Sequence, residues 1–504
     1  MATWNNLGKL VPKIASPDKA AVIDCLDVER PNIYTQGQID VLADACARGL
    51  LQRGLRRGDA VALLSANRAE FLAAYLGAMR AGLVAVPVNH KLAPETIAFI
   101  LGDCGARFAF VDAQRASLLP GELPFVEFGG PSWNEFLAFG KFDPVLPASD
   151  ECAMVLYTSG STGRPKGVQL SHAGQLWALE ARYRARSSFD DERIIVAAPL
   201  FHMNALASCK FALSAGARLV LLPQFEARTF LRAIHKFKVT WITSVPTMMA
   251  MVLREADELS RTDTVGVRYV RMASAPATSH LYEAVQAAFP NAALAGGYGT
   301  TEAGPIVFGP TGGRQLPLDG GLGWPLADVE ARLLDADGRE VTEGELWLRT
   351  PANMLGYLNM PDKTREVLTA DGWYRTGDVF RTDASGCYYF VGRADDMFNC
   401  GGENMYPGEV EHVIERMSEV MQACVVPVTD ELKGQKPVAF VVLRAGTVLT
   451  EAAVKDFVLA NAPAYQHPRR VFFTDALPLA ATNKIDRRAL QRCAEEAMRT
   501  MPIS

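Results

Sequence analysis

Tyr157-Thr158-Ser159-Gly160-Ser161-Thr162-Gly163-Arg164-Pro165-Lys166-Gly167 follows a short apolar run, Met154-Val155-Leu156. Glycines let backbone N–H groups approach an anion closely, and hydroxyls add further donors. Lys166 adds a mobile positive charge. This combination suits a polyphosphate. The spacing of Gly160 and Gly163 is not the G-x-x-x-x-G-K-[ST] of the common P-loop, so a different phosphate-gripping loop is expected. A Ser/Gly-rich surface turn is the alternative reading.

Outward from that loop, the first two-thirds of the chain alternates apolar runs with helical stretches. Candidate strands are residues 61–64, 84–88, 108–111, 154–157, 194–198, 219–222, 241–244 and 269–272. Continuous apolar strands separated by helices predict parallel sheets covered on both faces. The phosphate loop then leaves a buried strand, where open α/β sheets usually place ligands. From about Val329 the texture changes. Residues 329–334 and 345–349 flank Asp337-Gly338, a turn signal, and predict a small antiparallel β unit. After Arg393 it changes again. Val410, Val413 and Ile414 stand at helical spacing, followed by apolar runs at 423–428, 438–443 and 471–473 and a helical stretch at 451–460. A compact α+β unit of about 110 residues is expected there.

The 504 residues exceed a single core. With 49% hydrophobic and 21% charged residues, the composition is that of an ordinary globular protein. The net charge of −5 leaves no dominant basic patch, which argues against nucleic acid as a partner. No apolar run is long enough for a membrane span, and the N-terminus lacks the pattern of an export signal. The nine cysteines are dispersed, without a C-x-x-C pair, as expected of reduced thiols in a cytoplasmic protein. Self-association as a homodimer stays open.

Further segments carry chemistry. In Gly297-Tyr298-Gly299-Thr300-Thr301-Glu302, a Tyr face can stack on a purine and Thr301 can donate to a phosphate. Glu302 is a hard oxygen ligand suited to Mg²⁺. Gly-Tyr-Gly is also an ordinary tight turn. Ser274-Ala275-Pro276 offers small residues on which a ring can lie flat. Trp373-Tyr374-Arg375-Thr376-Gly377-Asp378 places a carboxylate after a tight turn, where it can accept ribose hydroxyls. Gly401-Gly402 lets backbone lie close to a slender ligand. His202, beside Phe201, is either structural or placed to act on a substrate.

Taken in order, these segments resemble the acyl-adenylate-forming superfamily of acyl- and aryl-CoA ligases, adenylation domains of peptide synthetases, and firefly-type luciferases. The resemblance implies an α/β fold. Its large N-terminal adenylating domain, residues 1–394, would hold two parallel α/β subdomains and a small β-barrel-like subdomain. Residues 395–504 would form a mobile α+β lid. ATP would be gripped by Thr158, Ser159, Gly160, Ser161, Thr162, Gly163 and Lys166 on its phosphates. Ser274, Ala275, Pro276, Gly297, Tyr298, Gly299, Thr300 and Thr301 would complete the ATP site, with Tyr298 on the adenine and Thr301 donating to a phosphate. Asp378 and Arg393 would hold the ribose, and Glu302 the Mg²⁺. Asp395 would be the hinge, Gly401 and Gly402 would pass the pantetheine arm of CoA, and Lys484 would be catalytic. His202 would gate the thiol's path. Two departures from the family pattern are Ser274 and Asn483, each in place of glycine.

The implied acyl pocket, His202 with Ala273, Ala275, Gly296, Gly297, Ala303 and Gly304, carries no charge to pair a second carboxylate. An apolar fatty or aryl acid is therefore the expected substrate, with ATP and CoA as its small-molecule partners. Two alternatives share the nucleotide residues: an adenylating enzyme that loads a carrier protein in trans, and a non-catalytic nucleotide-binding protein.

Overall fold

In a computed structural model the described residues are 5–10, 17–158, 164–183, 189–275, 277–311, 314, 316–317, 320–400, 403–430, 434–444, 446–480 and 485–500. All eight apolar runs of the first two-thirds are strands, and they divide between two seven-stranded sheets. The first sheet runs Ala293–Gly297, Tyr269–Ala273, Trp241–Ser244, Arg193–Val196, Arg218–Leu221, Ala20–Asp24 and Asn32–Thr35, parallel throughout except for its last edge. The second runs Gly356–Tyr357, Lys166–Ser171, Cys152–Thr158, Val84–Pro87, Ala60–Leu64, Ala106–Val111 and Phe125–Glu127. Its last five strands are parallel and its first two antiparallel.

The expectation of purely parallel sheets therefore needs correction at the phosphate loop. Thr158 pairs with Lys166 across an antiparallel rung. The intervening segment is too short for a parallel crossover, which takes a dozen or more residues. The loop is the connection of a hairpin, and Thr158 and Lys166 stand at its two roots.

Strand alternation sorts the cores. Val61 and Leu63 of the second sheet share one apolar cluster with Val22, Ile194, Val196, Leu219 and Leu221 of the first. The helices Gln36–Gln52, Ala69–Arg80, His172–Tyr183 and Met203–Ser214 contribute to that same cluster and form the middle layer. The opposite faces of the two sheets carry separate clusters. One packs Ile195, Val220, Ile242 and Val270 under the helices Ala227–Phe237, Pro246–Arg254 and Ser279–Ala288. The other packs Ala62, Leu64 and Val86 under Pro94–Asp103.

The β unit is an antiparallel six-stranded sheet: Phe308–Gly309, Gly321–Pro325, Tyr388–Arg393, Tyr374–Thr382, Glu343–Arg349 and Glu330–Leu334. Asp337-Gly338 makes its predicted turn, with Gly338 at φ 79° and the Asp335 carboxylate accepting from Asp337 N and Arg339 N, each at 2.9 Å. After Arg393 a single 3₁₀ turn, Ala394–Asp396, leads into a five-stranded sheet. Its long strands Val420–Asp430 and Gly434–Leu443 are covered by Pro407–Ile414 and Glu451–Asn461 on one face and by Arg487–Thr500 on the other. Among the described residues no helix is long and apolar enough to cross a membrane.

Arg487, at the start of that last helix, forks onto Glu411 of the helix Pro407–Ile414. Nη1 donates to Oε1 at 2.5 Å and Nη2 to Oε2 at 2.7 Å. The fork ties the strand face covered by one helix to the helix on the other face. Glu411→Ala is expected to cost about 2 kcal/mol and to speed amide exchange in residues 487–500 at least tenfold. Unchanged protection there would show that the fork does not hold the helix.

Candidate active site

Strands Tyr269–Ala273, Ala293–Gly297, Trp241–Ser244 and Arg193–Val196 end side by side, and a cleft of about 2310 Å³ opens at their carboxyl ends. Parallel sheets gather ligands at this edge, because the chain leaves each strand there through a loop free to carry chemistry. The cleft's far wall is the antiparallel sheet, through Asp378 and Arg393, and the C-terminal unit, through Phe398, Glu411, Ile485 and Arg487.

Asp378 is 4% exposed, and three pieces of chain meet on its carboxylate. Arg393 Nη1 donates to Oδ1 at 2.8 Å, and the Tyr298 hydroxyl donates to Oδ2. Asp378 and Arg393 are direct partners on an antiparallel rung. The sequence suggested a tight turn before Asp378. The structure has instead a bulge inside one strand. Glu345 pairs with Val379 and Trp347 with Arg375, so Thr376, Gly377 and Asp378 all stand opposite Leu346. Gly377 takes φ 67°, and a Cβ there would come within 3.4 Å of Arg393 Nη2. A bulge re-aims a side chain without ending the ladder, which is how Asp378 comes to face the cleft. Burial opposes the Arg393 charge, but Asp378 outweighs it and holds the guanidinium above its ordinary pKa. Burial, then Asp378, keep the Tyr298 phenol protonated and donating. The Tyr298 ring lies at 28° to Phe308 and edge-on to Phe380, with centroids 5.9 and 4.8 Å away.

At the other end stand the roots of the phosphate hairpin. Thr158 Oγ1 is buried and has no hydrogen-bond partner. Lys166 Nζ lies 4.7 Å from the centre of the Tyr357 ring, and Tyr357 donates to Glu302 Oε1 at 3.0 Å. Burial lowers the pKa of Lys166 while Glu302 supports its charge. Burial likewise raises the Glu302 carboxyl, against the help of Tyr357 and Lys166. These groups are poorly solvated and unsaturated, a fitting arrangement for an anion brought in with a cation. Ser159, Gly160, Ser161, Thr162 and Gly163 lie outside the described residues. Thr300 Oγ1 accepts from Ala303 N at 2.9 Å and shapes the turn that presents Thr301 and Glu302 to the cleft. A Cβ on Gly299 would stand 2.5 Å from Gly304 O and from Pro305 C, so only glycine passes there.

Ala273, Ser274, Ala275, Gly297 and His202 line the cleft. Pro276 lies outside the described residues. Ser274 sits at φ 70°, the left-handed region where glycine costs least. Three pocket expectations need correction. Gly296 faces the other side of its strand, where a Cβ would meet the Tyr282 hydroxyl at 2.8 Å and Leu322 at 3.3 Å. Ala303 is fully buried, with its carbonyl accepting from Thr350. A Cβ on Gly304 would meet Ala352 at 3.0 Å. Adjacent residues of a strand point to opposite faces, so Gly296 turns away where Gly297 faces the cleft. His202 caps the helix Met203–Ser214 and packs edge-on against Phe201, with ring centroids 4.6 Å apart.

The expectation of an uncharged pocket also needs correction. Arg271, on the same strand face as Ala273, is 6% exposed and lines the cleft. Asp395 lies near Arg393, with 3.9 Å between Oδ2 and Nη2. Gly401, Gly402 and Lys484 lie outside the described residues. Ile485, next in sequence to Lys484, lines the cleft.

A family model described as AMP-binding enzyme matches residues 14–358, and a second, AMP-binding enzyme C-terminal domain, matches residues 409–484. The chain belongs to the AMP-binding enzyme family. It is 32% identical over 488 residues to the long-chain-fatty-acid–CoA ligase FadD13 of Mycobacterium tuberculosis, covering 93% of this chain and 94% of that protein. Its fold is similar to the anthranilate CoA ligase AuaEII in complex with anthranoyl-AMP, at TM-score 0.90, 27% identity and 99% coverage of both chains. It is also similar to ATP-bound MatB from Rhodopseudomonas palustris, at TM-score 0.88 and 26% identity, covering 98% of this chain and 99% of that one. Membership makes the protein an AMP-forming acid–thiol ligase by class.

Within this AMP-binding enzyme, the residues present fit a magnesium nucleotide. Among the described residues no cluster of three or more His, Cys, Asp or Glu could hold a metal by itself. Mg²⁺ in nucleotide sites needs only one or two carboxylates, because phosphates and water complete its shell. Glu302 would supply one carboxylate, and Thr158 and Lys166 line the same cleft where phosphates would lie. Sequence reasoning missed Tyr357 and Arg271. Tyr357 belongs to a two-residue strand that pairs with the Lys166 strand, too short to carry a pattern. Arg271 did have a signal, a charged residue inside an apolar strand.

Gly299→Ala is expected to displace the turn before Glu302 and weaken ATP binding at least tenfold by calorimetry. Unchanged affinity would mean the turn yields freely. A second test concerns Lys210, buried with Nζ 2.6 Å from Gln175 Oε1 and pushed down to about 7 by burial. Its unfolded value is higher, so the folded chain holds fewer protons between about 7 and 10.5, and stability should rise with pH there. Lys210→Met should remove a slope of up to about 1.4 kcal/mol per pH unit. Parallel stability curves for the two proteins would refute this.

Proposed function

We propose that the protein joins a carboxylic acid to CoA in two steps at this one cleft. The carboxylate oxygen attacks the α-phosphorus of ATP, the bond to the bridging oxygen breaks, and pyrophosphate leaves. The CoA sulfur then attacks the acyl carbonyl carbon, the bond to the AMP oxygen breaks, and the thiol proton passes to solvent. The observation that carries the reading is the pairing of two unlike subsites in one cleft: Asp378 with Arg393 at one end, Thr158 with Lys166 and Glu302 at the other.

In this reading Asp378 accepts the ribose hydroxyls, and Arg393 keeps the carboxylate ionised and oriented. Tyr298 offers a ring to the adenine while its hydroxyl holds Asp378. Lys166 and Thr158, with the loop 159–163, bind phosphate oxygens. Mg²⁺ bound through Glu302 would offset charge on the phosphates, the main task in such displacements. The lid comprises residues 395–504 and turns about Asp395. One lid position presents Lys484 to the adenylation step, and the other presents Gly401-Gly402 to the pantetheine arm, with His202 on the thiol's path. A rotating lid lets one site serve two transition states. Ala273 and Ala275 leave room for the body of the acid. Nine free cysteines suit the cytoplasm.

A panel of carboxylic acids, read by pyrophosphate release and by CoA-dependent thioester formation, tests the activity. Release of pyrophosphate without any CoA thioester would turn the reading to a carrier protein as acceptor. Release with no acid in the panel would sink it. Asp378→Asn is expected to raise KM for ATP by tenfold to a hundredfold. Lys484→Ala should abolish adenylate formation and largely spare thioester formation from supplied acyl-AMP; equal loss of both half-reactions would contradict the lid assignment.

A further inference from the structure

The acyl side of the cleft collects buried donors and no anion. Arg271 Nη2 donates to Pro305 O at 3.2 Å, while its Nε is buried with no hydrogen-bond partner. The guanidinium crosses to the neighbouring strand. Nε and Nη2 lie 2.8 and 2.9 Å from where a Cβ of Gly297 would stand, so the absent side chain of Gly297 is the space the guanidinium uses. Thr243, the strand partner of Arg271 on its other side, donates to Asn204 Oδ1 at 3.5 Å. Asn204 also lines the cleft, and its Nδ2 is buried without a partner. Arg182, on the helix His172–Tyr183, donates Nη1 to Ala207 O at 3.2 Å and has Nη2 buried and unpartnered. Lys210 is bonded only to the neutral Gln175 amide. Among the described residues no carboxylate pairs with Arg182, Lys210 or Arg271.

A buried cation without an anion is strongly disfavoured, as is a buried donor without an acceptor. Two unpartnered donors of this kind, Arg271 Nε and Asn204 Nδ2, on residues that both line the cleft, describe a site completed by a ligand. We infer that the acid this enzyme activates carries a second carboxylate, and that Arg271, with Asn204 beside it, binds that group. The position of the guanidinium limits the length of the acid. It does not lie a full residue pair deeper than Ala273 but beside Gly297, which pairs with Ala273 on the rung next to Ser274 and Tyr298. The second carboxylate must therefore lie only a few bonds from the reacting one, as in a short dicarboxylic acid, and not at the end of a long chain. Gly297 becomes a specificity position, because any side chain there would displace the guanidinium. The apolar wall of the pocket then contacts only the short link between the two carboxylates. This inference rests on the ligase reading for the fate of the first carboxylate, and on Arg271 with Asn204 for the second.

The test uses the full-length protein and matched acids: malonate, succinate and glutarate against propionate, butyrate and valerate, in which a methyl replaces one carboxylate. Two readouts are taken, pyrophosphate release and direct binding by calorimetry in the presence of a non-hydrolysable ATP analogue. The expected result is that at least one diacid exceeds its monoacid by roughly 100-fold or more in both, because a site built for an ionic hydrogen bond rejects the analogue that lacks it. Arg271→Met, which keeps the volume, should abolish that preference and leave ATP-analogue affinity unchanged, and Arg271→Lys should restore part of it. A preference for monoacids, or an equal loss for both series in Arg271→Met, overturns the inference and leaves the ligase reading standing. Arg271-dependent binding of a diacid with no pyrophosphate release in any reaction supports the site and overturns the ligase reading instead.

Discussion

A carboxylate at 4% exposure has lost most of its water and must be compensated within the protein. Asp378 is such a group, and its compensation joins three parts of the chain. Arg393 comes from the last residue of the antiparallel sheet, beside the 3₁₀ turn that leads into the C-terminal unit. Tyr298 comes from the end of an edge strand in the first parallel sheet. The bulge at Gly377 turns the carboxylate to face both. Any change in the angle between these parts disturbs a charged hydrogen bond in a poorly solvated place. A nucleotide held on Asp378 would thus be sensed at once by the sheet, by the aromatic floor and by the proposed hinge.

The opposite end of the cleft uses the reverse device. Thr158, Lys166 and Glu302 are buried but incompletely paired, and burial shifts both charged groups towards neutrality. Asp378 is finished without a ligand, whereas this subsite is not. The contrast suits a sequence of events in which the ribose end is recognised by a rigid constellation and the phosphate end tightens around incoming charge. The acyl side follows the second pattern, with Arg271 and Asn204 holding donors in reserve. Such groups reduce stability in the free protein, the usual cost of a preorganised site.

Strand direction accounts for where the cleft lies. Four parallel strands of the first sheet end together, and the hairpin of the second sheet brings Thr158 and Lys166 to the same opening. Helices in the middle layer bury their apolar faces against both sheets at once, so neither sheet can shift without breaking the shared core. The C-terminal unit has cores of its own on both faces of its sheet, which suits a body that turns as a piece.

The strands, the change of texture near Arg393 and the nucleotide motifs were legible in the amino-acid order, because these depend on local chemistry. An apolar run of four or five residues bounded by turn formers has few other ways to fold. A loop of glycines, hydroxyls and lysine offers donors to an anion through its local composition. Which residues face the cleft emerged with the folded chain. Gly296 and Gly297 are neighbours in sequence and point to opposite sides of a sheet, while Ala303 and Gly304 turn into the core. Folding likewise settled that Asp378 follows a bulge, that Tyr357 reaches Glu302, and that the Arg271 guanidinium fills the space beside Gly297. These outcomes depend on register between strands far apart in the chain, and no local pattern encodes the distance between two side chains that meet only after the sheets are built.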